Sequence, residues 1–382
     1  MTDGRDTIEI YEAEGAFERL ERWLSERGFF ASGGEALVAD LYLGYGLSST
    51  IRRHRSSAPP EPCPLPLAAC AVRPHGYVVN NDNADDDAAD PGPAPSFGPW
   101  QRTWASRDYA DAVERVRDAI ARGDVYQVNL VQHLVAEFSG DPSALAARLA
   151  VLNPHNRESY RGNGWAIVSG SPELFLARRG RRVWTCPIKG TRPAEAGAAR
   201  ELARSAKDAA EHVMIVDLER NDLSRICEPG SVRWPELMVT RAMAGVEHMV
   251  STVEGRLRDG VGLAELLAAT FPGGSITGAP KIAAVDLIAE IEPVGRGASM
   301  GALGRVYGNG DLDLALTIRT FAIAEGQIHL WVGGGVVWDS DPQAEIAESW
   351  VKADPLLRAI GAPRAEPDER PAAVRSSAVG AR

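Results

Sequence analysis

Between Ser106 and Val135 the spacing of apolar side chains changes from one period to another. Tyr109, Val113, Val116 and Ile120 recur at intervals of four, three and four residues, which predicts an amphipathic helix with Ser106 as its N-cap. From Asp124 to Val135 the pattern alternates instead, with Val128 and Leu130 on one face of a strand and Gln127 and Asn129 on the other. Shorter runs predict strands at 165–169, 174–178 and 182–189, then helices across 195–218. Ala315–Ile323 and Gln327–Val332 read as a hairpin turning at Glu325-Gly326 and leading into Gly333-Gly334-Gly335, with a helix over 342–352 to follow. Strands outnumber crossover helices and several are joined by short turns. The expected fold class is therefore α+β, an α/β sandwich with large, mostly antiparallel sheets flanked by helices.

Ahead of Ser106 the pattern is more broken. Phe17, Leu20 and Trp23 mark a helix, and the apolar segments after it are interrupted by an Arg/His/Ser/Pro run at 52–66. Residues 80–99 are acidic and then Pro-rich, which reads as a solvated loop. Their Asp run lacks the spaced Gly and terminal Glu of a calcium loop. The expected organisation is a shortened N-terminal region over 1–105, one main domain over 106–361, and a disordered tail over 362–382. No internal repeat is visible.

With 45% hydrophobic and 24% charged residues among 382, the chain can bury one large core or two moderate ones. Its formal net charge of −11 argues against a nucleic-acid partner, which needs a basic face. An anionic small substrate would have to be caught by local positive groups. No apolar run approaches the length of a membrane span, and the polar start MTDGRDTIEIYEAEG lacks a signal-peptide pattern. Cys63, Cys70, Cys186 and Cys227 have no metal-type spacing, so reduced thiols and a cytoplasmic location are expected. None sits in the Gly-flanked elbow of a glutamine-hydrolysing nucleophile.

Candidate chemistry lies in a few places. Asp208 and Glu211, and again Glu345 and Glu348, are acids three apart on predicted helices, so each pair shares a face. Four convergent carboxylates without thiols or imidazoles would suit a hard cation such as Mg²⁺, although such pairs are more commonly a solvated face. Lys189 ends a predicted strand in WTCPIKGT; burial there would lower its pKa and free a nucleophilic amine, the commoner outcome being a lysine that reaches out to water. FPGGSITGAPK is a Gly-rich turn feeding a helix, suited to holding a carboxylate, and it matches neither nucleotide-binding loop. The glycines at 333–335 permit close approach of a ligand or merely a bulge. Arg319, placed mid-strand in LTIRTF, calls for a carboxylate partner.

In order, GDVYQVNL, SGSPELFL, CPIKGTRP, AAEHVMIVDLERNDL, VEHMVST, FPGGSITGAPK, LTIRTF, VGGGVVWDS and AEIAESWVK resemble the motifs of the chorismate-utilising family. That family includes anthranilate synthase large subunits, aminodeoxychorismate synthase component I, isochorismate synthases and salicylate synthases. The resemblance covers about 124–352. It implies chorismate as substrate and Mg²⁺ held chiefly by Glu211 and Glu348, with Asp208 and Glu345 beside them. It further implies carboxylate-holding roles for Arg319, Lys352, the backbone of Gly333, Gly334 and Gly335, and Ser275. Glu173 matches the family's acid/base carboxylate, and His248 its active-site histidine.

Two positions sort the reaction within the family. Members that add water at C2 resemble one another in carrying Lys where this chain has Gln127, and a neutral amide cannot take that proton. Members of the anthranilate type usually read PIAGT, whereas this chain reads PIKGT, as do aminodeoxychorismate synthases. The resemblance thus implies amination at C4, with ammonia from a separate glutamine amidotransferase and p-aminobenzoate downstream, serving folate or a specialised product made from p-aminobenzoate. The alternatives are a C2 aminase of the anthranilate type and a non-catalytic chorismate-binding regulatory subunit. Departures from the pattern are Ser299 where Tyr is common, Gly170 for Ser, Ser224 for Gly, and a short N-terminal part without the usual tryptophan-binding motif.

Overall fold

Gln127–Ser139 is the longest strand among the described residues, and it runs antiparallel to Gln327–Val336 through ten consecutive pairs, from Gln327 opposite Glu137 to Val336 opposite Val128. The computed structural model describes residues 6–31, 34–53, 58–75, 94–155, 159–193, 195–243 and 246–364. The ladder forms the middle of an eight-stranded sheet whose spatial order is Gly278–Ala279, Gln127–Ser139, Gln327–Val336, Thr320–Ala324, Trp165–Ser169, Tyr160–Arg161. Two short strands, Ser96–Phe97 and Gln101–Arg102, add to Gln127–Ser139. Both faces of its first eight residues are buried, so the alternation expected of a half-solvated strand is absent, and Gln127 and Asn129 are as hidden as Val128 and Leu130. Helices Ser106–Ala121 and Lys281–Ile291 lie against it.

The second sheet has ten strands, in the order Asp6–Ile10, Ala68–Pro74, Leu37–Leu43, Ala302–Tyr307, Leu312–Leu316, Leu174–Arg179, Arg182–Cys186, Val246–Arg256 and Ile188–Pro193, with Arg233–Met243 also paired to Val246–Arg256. Three of these strands precede residue 106, and Leu37–Leu43 pairs directly with Ala302–Tyr307. Apolar residues of both sheets belong to one continuous core. The fold is thus mixed helix and antiparallel sheet, as the sequence pattern predicts.

Two segments carry the chain from one sheet to the other, and they run side by side. Residues 170–173 lead from Trp165–Ser169 to Leu174–Arg179; residues 317–319 lead back from Leu312–Leu316 to Thr320–Ala324. They are tied by Leu316 N–H to Glu173 O at 3.0 Å and Gly170 N–H to Arg319 O at 2.9 Å. The expected single strand Ala315–Ile323 is therefore two strands in different sheets. Arg319 stands at the break with φ +51°, a left-handed conformation that a strand cannot contain.

Smaller corrections have equally local causes. The run 182–189 breaks before Pro187, which has no N–H for a ladder, and Lys189 is the second residue of the next strand rather than the end of one. The glycines 333–335 lie inside the strand, not beyond it. Helix Ser106–Ala121 is capped one residue earlier: Ala105 N–H donates to Asp108 Oδ2 at 3.3 Å, and the Ser106 hydroxyl instead accepts from Arg102. The helical stretch after 195 is two helices, Ala198–Arg204 and Ala206–Ser224, the latter capped by the Ser205 hydroxyl. The helix expected over 342–352 runs from Pro342 to Ile360, started by the Asp341 carboxylate on Ala344 N–H and ended at Gly361, φ +73°. Residues 80–93 of the acidic loop and 365–382 of the tail lie outside the described residues. No helix among the described residues is long and apolar enough to cross a membrane, and all four cysteines are unpaired.

Candidate active site

Glu173 sits on the first of the two sheet-to-sheet segments. Its position is set locally: Ser169 Oγ accepts from Ser171 N–H, and Ser171 Oγ from Glu173 N–H, each at 3.3 Å. The side chain is buried, and Oε1 accepts from Ser275 Oγ at 2.7 Å and from Ile188 N–H at 3.4 Å. Burial pushes its carboxyl pKa up, against the Ser275 hydroxyl, the Lys189 ammonium, the Ile188 N–H and Arg319.

Lys189 is held close by. Its Nζ donates to Ser275 O at 3.2 Å, and burial pushes the ammonium down, opposed by the fields of Glu173 and Glu211. Each shift favours the uncharged form of its group. A neutral amine beside a neutral acid has the same net charge as the ion pair and avoids desolvating two ions. Gly190 follows with φ +65°, a conformation that sends the backbone past Asp208, and a β-carbon there would lie 2.6 Å from Leu202 Cδ1.

His248 lies one ladder step from Lys189: Lys189 pairs with Met249, and His248 with Thr191. It is buried, and burial together with the Arg319 charge pushes its pKa down to about 4, so the ring is neutral near pH 7. Arg319 itself is largely buried. Burial lowers its pKa, and Glu173 is the carboxylate that counters this.

The two acidic helix faces meet through the charges of Glu211 and Glu348, and the four side chains are differently engaged. Glu211 is pushed up by burial and further by Asp208 and Glu348, while Lys189 and Lys207 pull it down. Asp208 pairs with Arg192 at 2.8 Å. Glu345 is buried, accepts from Ser340 Oγ at 2.7 Å, and is pushed up by burial. Burial would raise Glu348 as well, but the Lys352 ammonium at 2.7 Å, with Lys207 and Lys189, outweighs it and holds the carboxyl down. Among the described residues no three acids or imidazoles are close enough to form a ready metal cage. Glu211 and Glu348, from two different helices, are close enough to feel each other's charge, and carboxylates are the donor type that suits Mg²⁺, which is commonly bound through one or two of them together with ligand oxygens and water.

Lys352 also donates to Gly333 O at 2.8 Å, which brings the glycine triplet into the site. A β-carbon on Gly334 would stand 3.2 Å from Glu348 Oε1, 3.3 Å from Lys352 Nζ and 3.4 Å from Glu345 Oε2. On Gly335 it would lie 2.6 Å from Gln127 Nε2. Gln127 is fully buried, and neither its Oε1 nor its Nε2 has a partner among the described residues. A buried amide without partners is costly unless a ligand satisfies it. Ser299 is likewise fully buried, and its Oγ has no partner among the described residues.

Several participants carry no obvious mark in the sequence. Lys207 precedes Asp208 and lends positive charge to Glu211, Glu345 and Glu348; its i,i+4 spacing to Glu211 is the one available clue. His212 follows Glu211 and is buried, with Nε2 2.6 Å from Ser251 Oγ and a pKa pushed down to about 4 by burial and the Lys189 charge. Glu219, within DLERNDL, is bonded by Thr185 Oγ1 at 3.0 Å and pushed up to about 8 by burial and Glu173.

The chain is 41% identical over 271 residues to aminodeoxychorismate synthase component 1 of Salmonella typhimurium, covering 68% of this chain and 59% of that protein. It is 40% identical over 269 residues to anthranilate synthase component 1 of Streptomyces coelicolor, covering 68% of this chain and 53% of that one. The matches thus span little more than half the length of these curated relatives. The crystal structure of anthranilate synthase component I from Streptococcus pneumoniae superposes with a TM-score of 0.73 at 29% identity, covering 83% of this chain and 80% of that one. The family model described as chorismate binding enzyme matches residues 48–358, a span that contains Glu173, Lys189, His248, Arg319 and both acidic helix faces, and the chain accordingly belongs to the chorismate-binding enzymes.

Proposed function

We propose that the protein aminates chorismate at C4, giving 4-amino-4-deoxychorismate. The observation that carries this reading is the setting of Lys189: a partly buried amine, pushed toward its neutral form, sharing Ser275 with the buried acid Glu173. Lys189 attacks C2 of the ring while Glu173 gives its proton to the departing C4 hydroxyl, which leaves as water. Ammonia then adds at C4 and displaces the lysine from C2. Because the lysine holds C2, nitrogen is delivered to C4.

Arg319 and Lys352 hold substrate carboxylates, with backbone N–H groups of the 333–335 glycines and Ser275 assisting, and the unpartnered amide of Gln127 faces the ligand. His248, neutral, stands beside Lys189 as a hydrogen-bonding group. Mg²⁺, held by Glu211 and Glu348 with Asp208 and Glu345 nearby, would supply positive charge to the ring carboxylate. Ammonia is provided by a separate glutamine amidotransferase; the "component 1" in the relatives' names is in keeping with a two-part enzyme. The product would feed p-aminobenzoate and folate synthesis in the cytoplasm.

Relatives of the anthranilate type are equally similar, so the product has to be identified directly. Purified protein is given chorismate, Mg²⁺ and an ammonium salt, with an aminodeoxychorismate lyase added in one arm. Formation of p-aminobenzoate only in the lyase arm is expected. Fluorescent anthranilate without lyase would refute C4 amination, and absence of any product with intact chorismate binding would favour a regulatory role.

A further inference from the structure

Arg319 occupies an unusual backbone position for a residue that must present a guanidinium to a ligand. It is the last residue of the segment 317–319 that passes between the sheets, and its φ of +51° lies where side chains with a β-carbon are disfavoured. Such a conformation persists only where neighbours impose it. Two threonines do so from either side.

Thr317, fully buried, is clasped to the turn 298–301 by every polar group it has. Its Oγ1 donates to Ala298 O and accepts from Gly301 N–H at 2.7 Å. Its N–H donates to Gly301 O, and its carbonyl accepts from Met300 N–H, both at 3.0 Å. On the far side Thr320 Oγ1 donates to Ile318 O at 2.8 Å and lies 2.8 Å from Ser169 Oγ. Ser169 in turn begins a relay in which its hydroxyl accepts from Ser171 N–H and the Ser171 hydroxyl from Glu173 N–H, and the Arg319 carbonyl accepts from Gly170 N–H. The peptide before Arg319 is thus pinned by the Thr320 hydroxyl and the peptide after it by the Gly170 N–H, while Thr317 anchors the chain two residues before the arginine, and the pins beyond it lead to the segment that carries Glu173.

We infer that Thr317 and Thr320 are positioning residues that hold Arg319 in its left-handed conformation and so set where the substrate carboxylate is bound. Neither touches substrate; both act through the arginine. The inference rests on Arg319 being a carboxylate-holding group, as proposed above.

The test uses the full chain with chorismate, Mg²⁺ and ammonium, reading KM and kcat separately, with thermal unfolding of each variant recorded alongside. Thr317→Val keeps the shape and removes both hydroxyl bonds. Loss of two buried hydrogen bonds that orient a charged ligand contact is expected to raise the KM for chorismate on the order of ten-fold with kcat changed far less. Thr317→Ser, which retains the hydroxyl, is expected to stay near the parent KM. In an Arg319→Ala background Thr317→Val is expected to add nothing, since the group it positions is gone. If Thr317→Val does not fold, Thr320→Val reads the other pin, with the same KM rise expected. A parent-like KM in whichever of these valine variants folds, or effects additive with Arg319→Ala, overturns the positioning role alone. A parent-like KM in Arg319→Ala itself overturns the carboxylate reading and the inference together.

Discussion

Lys189 and Glu173 are joined through opposite ends of one residue: the Ser275 carbonyl accepts from the amine at 3.2 Å, and the Ser275 hydroxyl donates to the carboxyl at 2.7 Å. The serine belongs to the turn 273–276, so the spacing of the amine and the carboxyl is set by a backbone that neither of them supplies.

This arrangement gives a pH dependence with two limbs. The amine must be neutral and the acid protonated, and burial moves both pKa values toward that state. At fixed free ammonia, turnover is expected to rise with pH as the ammonium titrates and to fall as the carboxyl does, with apparent values belonging to the pair. Glu173→Gln is expected to abolish the alkaline limb and cut kcat by about 10²–10⁴. Lys189→Ala is expected to leave chorismate binding largely intact while abolishing C4 amination. A Lys189→Ala variant with parent turnover would remove the lysine from the chemistry.

The glycines 333 and 335 should respond differently to one added methyl. At Gly333 a β-carbon would lie 1.9 Å from Leu130 O and 2.7 Å from Val131 Cα, both backbone in the central ladder. Gly333→Ala is expected to destabilise the fold by about 2–4 kcal/mol in denaturant unfolding. At Gly335 the obstacle is the end of the Gln127 side chain, which can turn away. Gly335→Ala is expected to cost under about 1 kcal/mol of stability while weakening chorismate binding. Equal stability losses in the two variants would contradict this.

Acid should loosen the eight-stranded sheet through a buried imidazole pair. His133 Nε2 and His329 Nδ1 are 3.0 Å apart, the rings stack beside Trp331, and Thr103 Oγ1 lies 2.6 Å from His133 Nδ1. Burial pushes His329 down to about 4 and His133 down as well. The unfolded chain therefore binds protons that the folded one refuses, and stability falls as pH drops from about 6.5 toward 4. The His329 share is on the order of 3 kcal/mol. His329→Gln, which cannot titrate, should show a flatter dependence of urea midpoint on pH; an unchanged slope would count against it.

Arg319 offers a direct check on its backbone. Arg319→Gly and Arg319→Ala both remove the guanidinium, but only glycine is at ease with φ +51°. The glycine variant is expected to unfold at higher denaturant, by about 1 kcal/mol. Equal midpoints would mean that the conformation is not strained.

Much of the site could be read from the chain because its parts are local motifs. The i,i+3 acids, the lysine of PIKGT and the glycine triplet carry their character in a few adjacent residues, and Lys189, Glu211 and Glu348 feel one another's charge while Gly334 lies against Glu345 and Glu348. What could not be read was long-range. An apolar run from Ala315 to Ile323 has the composition of one strand, and nothing within it says that Thr317–Arg319 leaves one sheet for the other. The cause lies in the turn 298–301, which captures Thr317 from some eighteen residues away. Similarly Gln127 looks like the wet face of a strand, and only the cover on both sides of Gln127–Ser139 makes it an interior amide.

The two sheet-to-sheet segments are laced to each other, one bearing Glu173 and the other Arg319. Thermal breathing that slides one sheet over its neighbour would carry the acid and the guanidinium along as a single unit. The distance between that carboxyl and that guanidinium is thereby less exposed to sliding of the sheets than if each group hung from its own sheet.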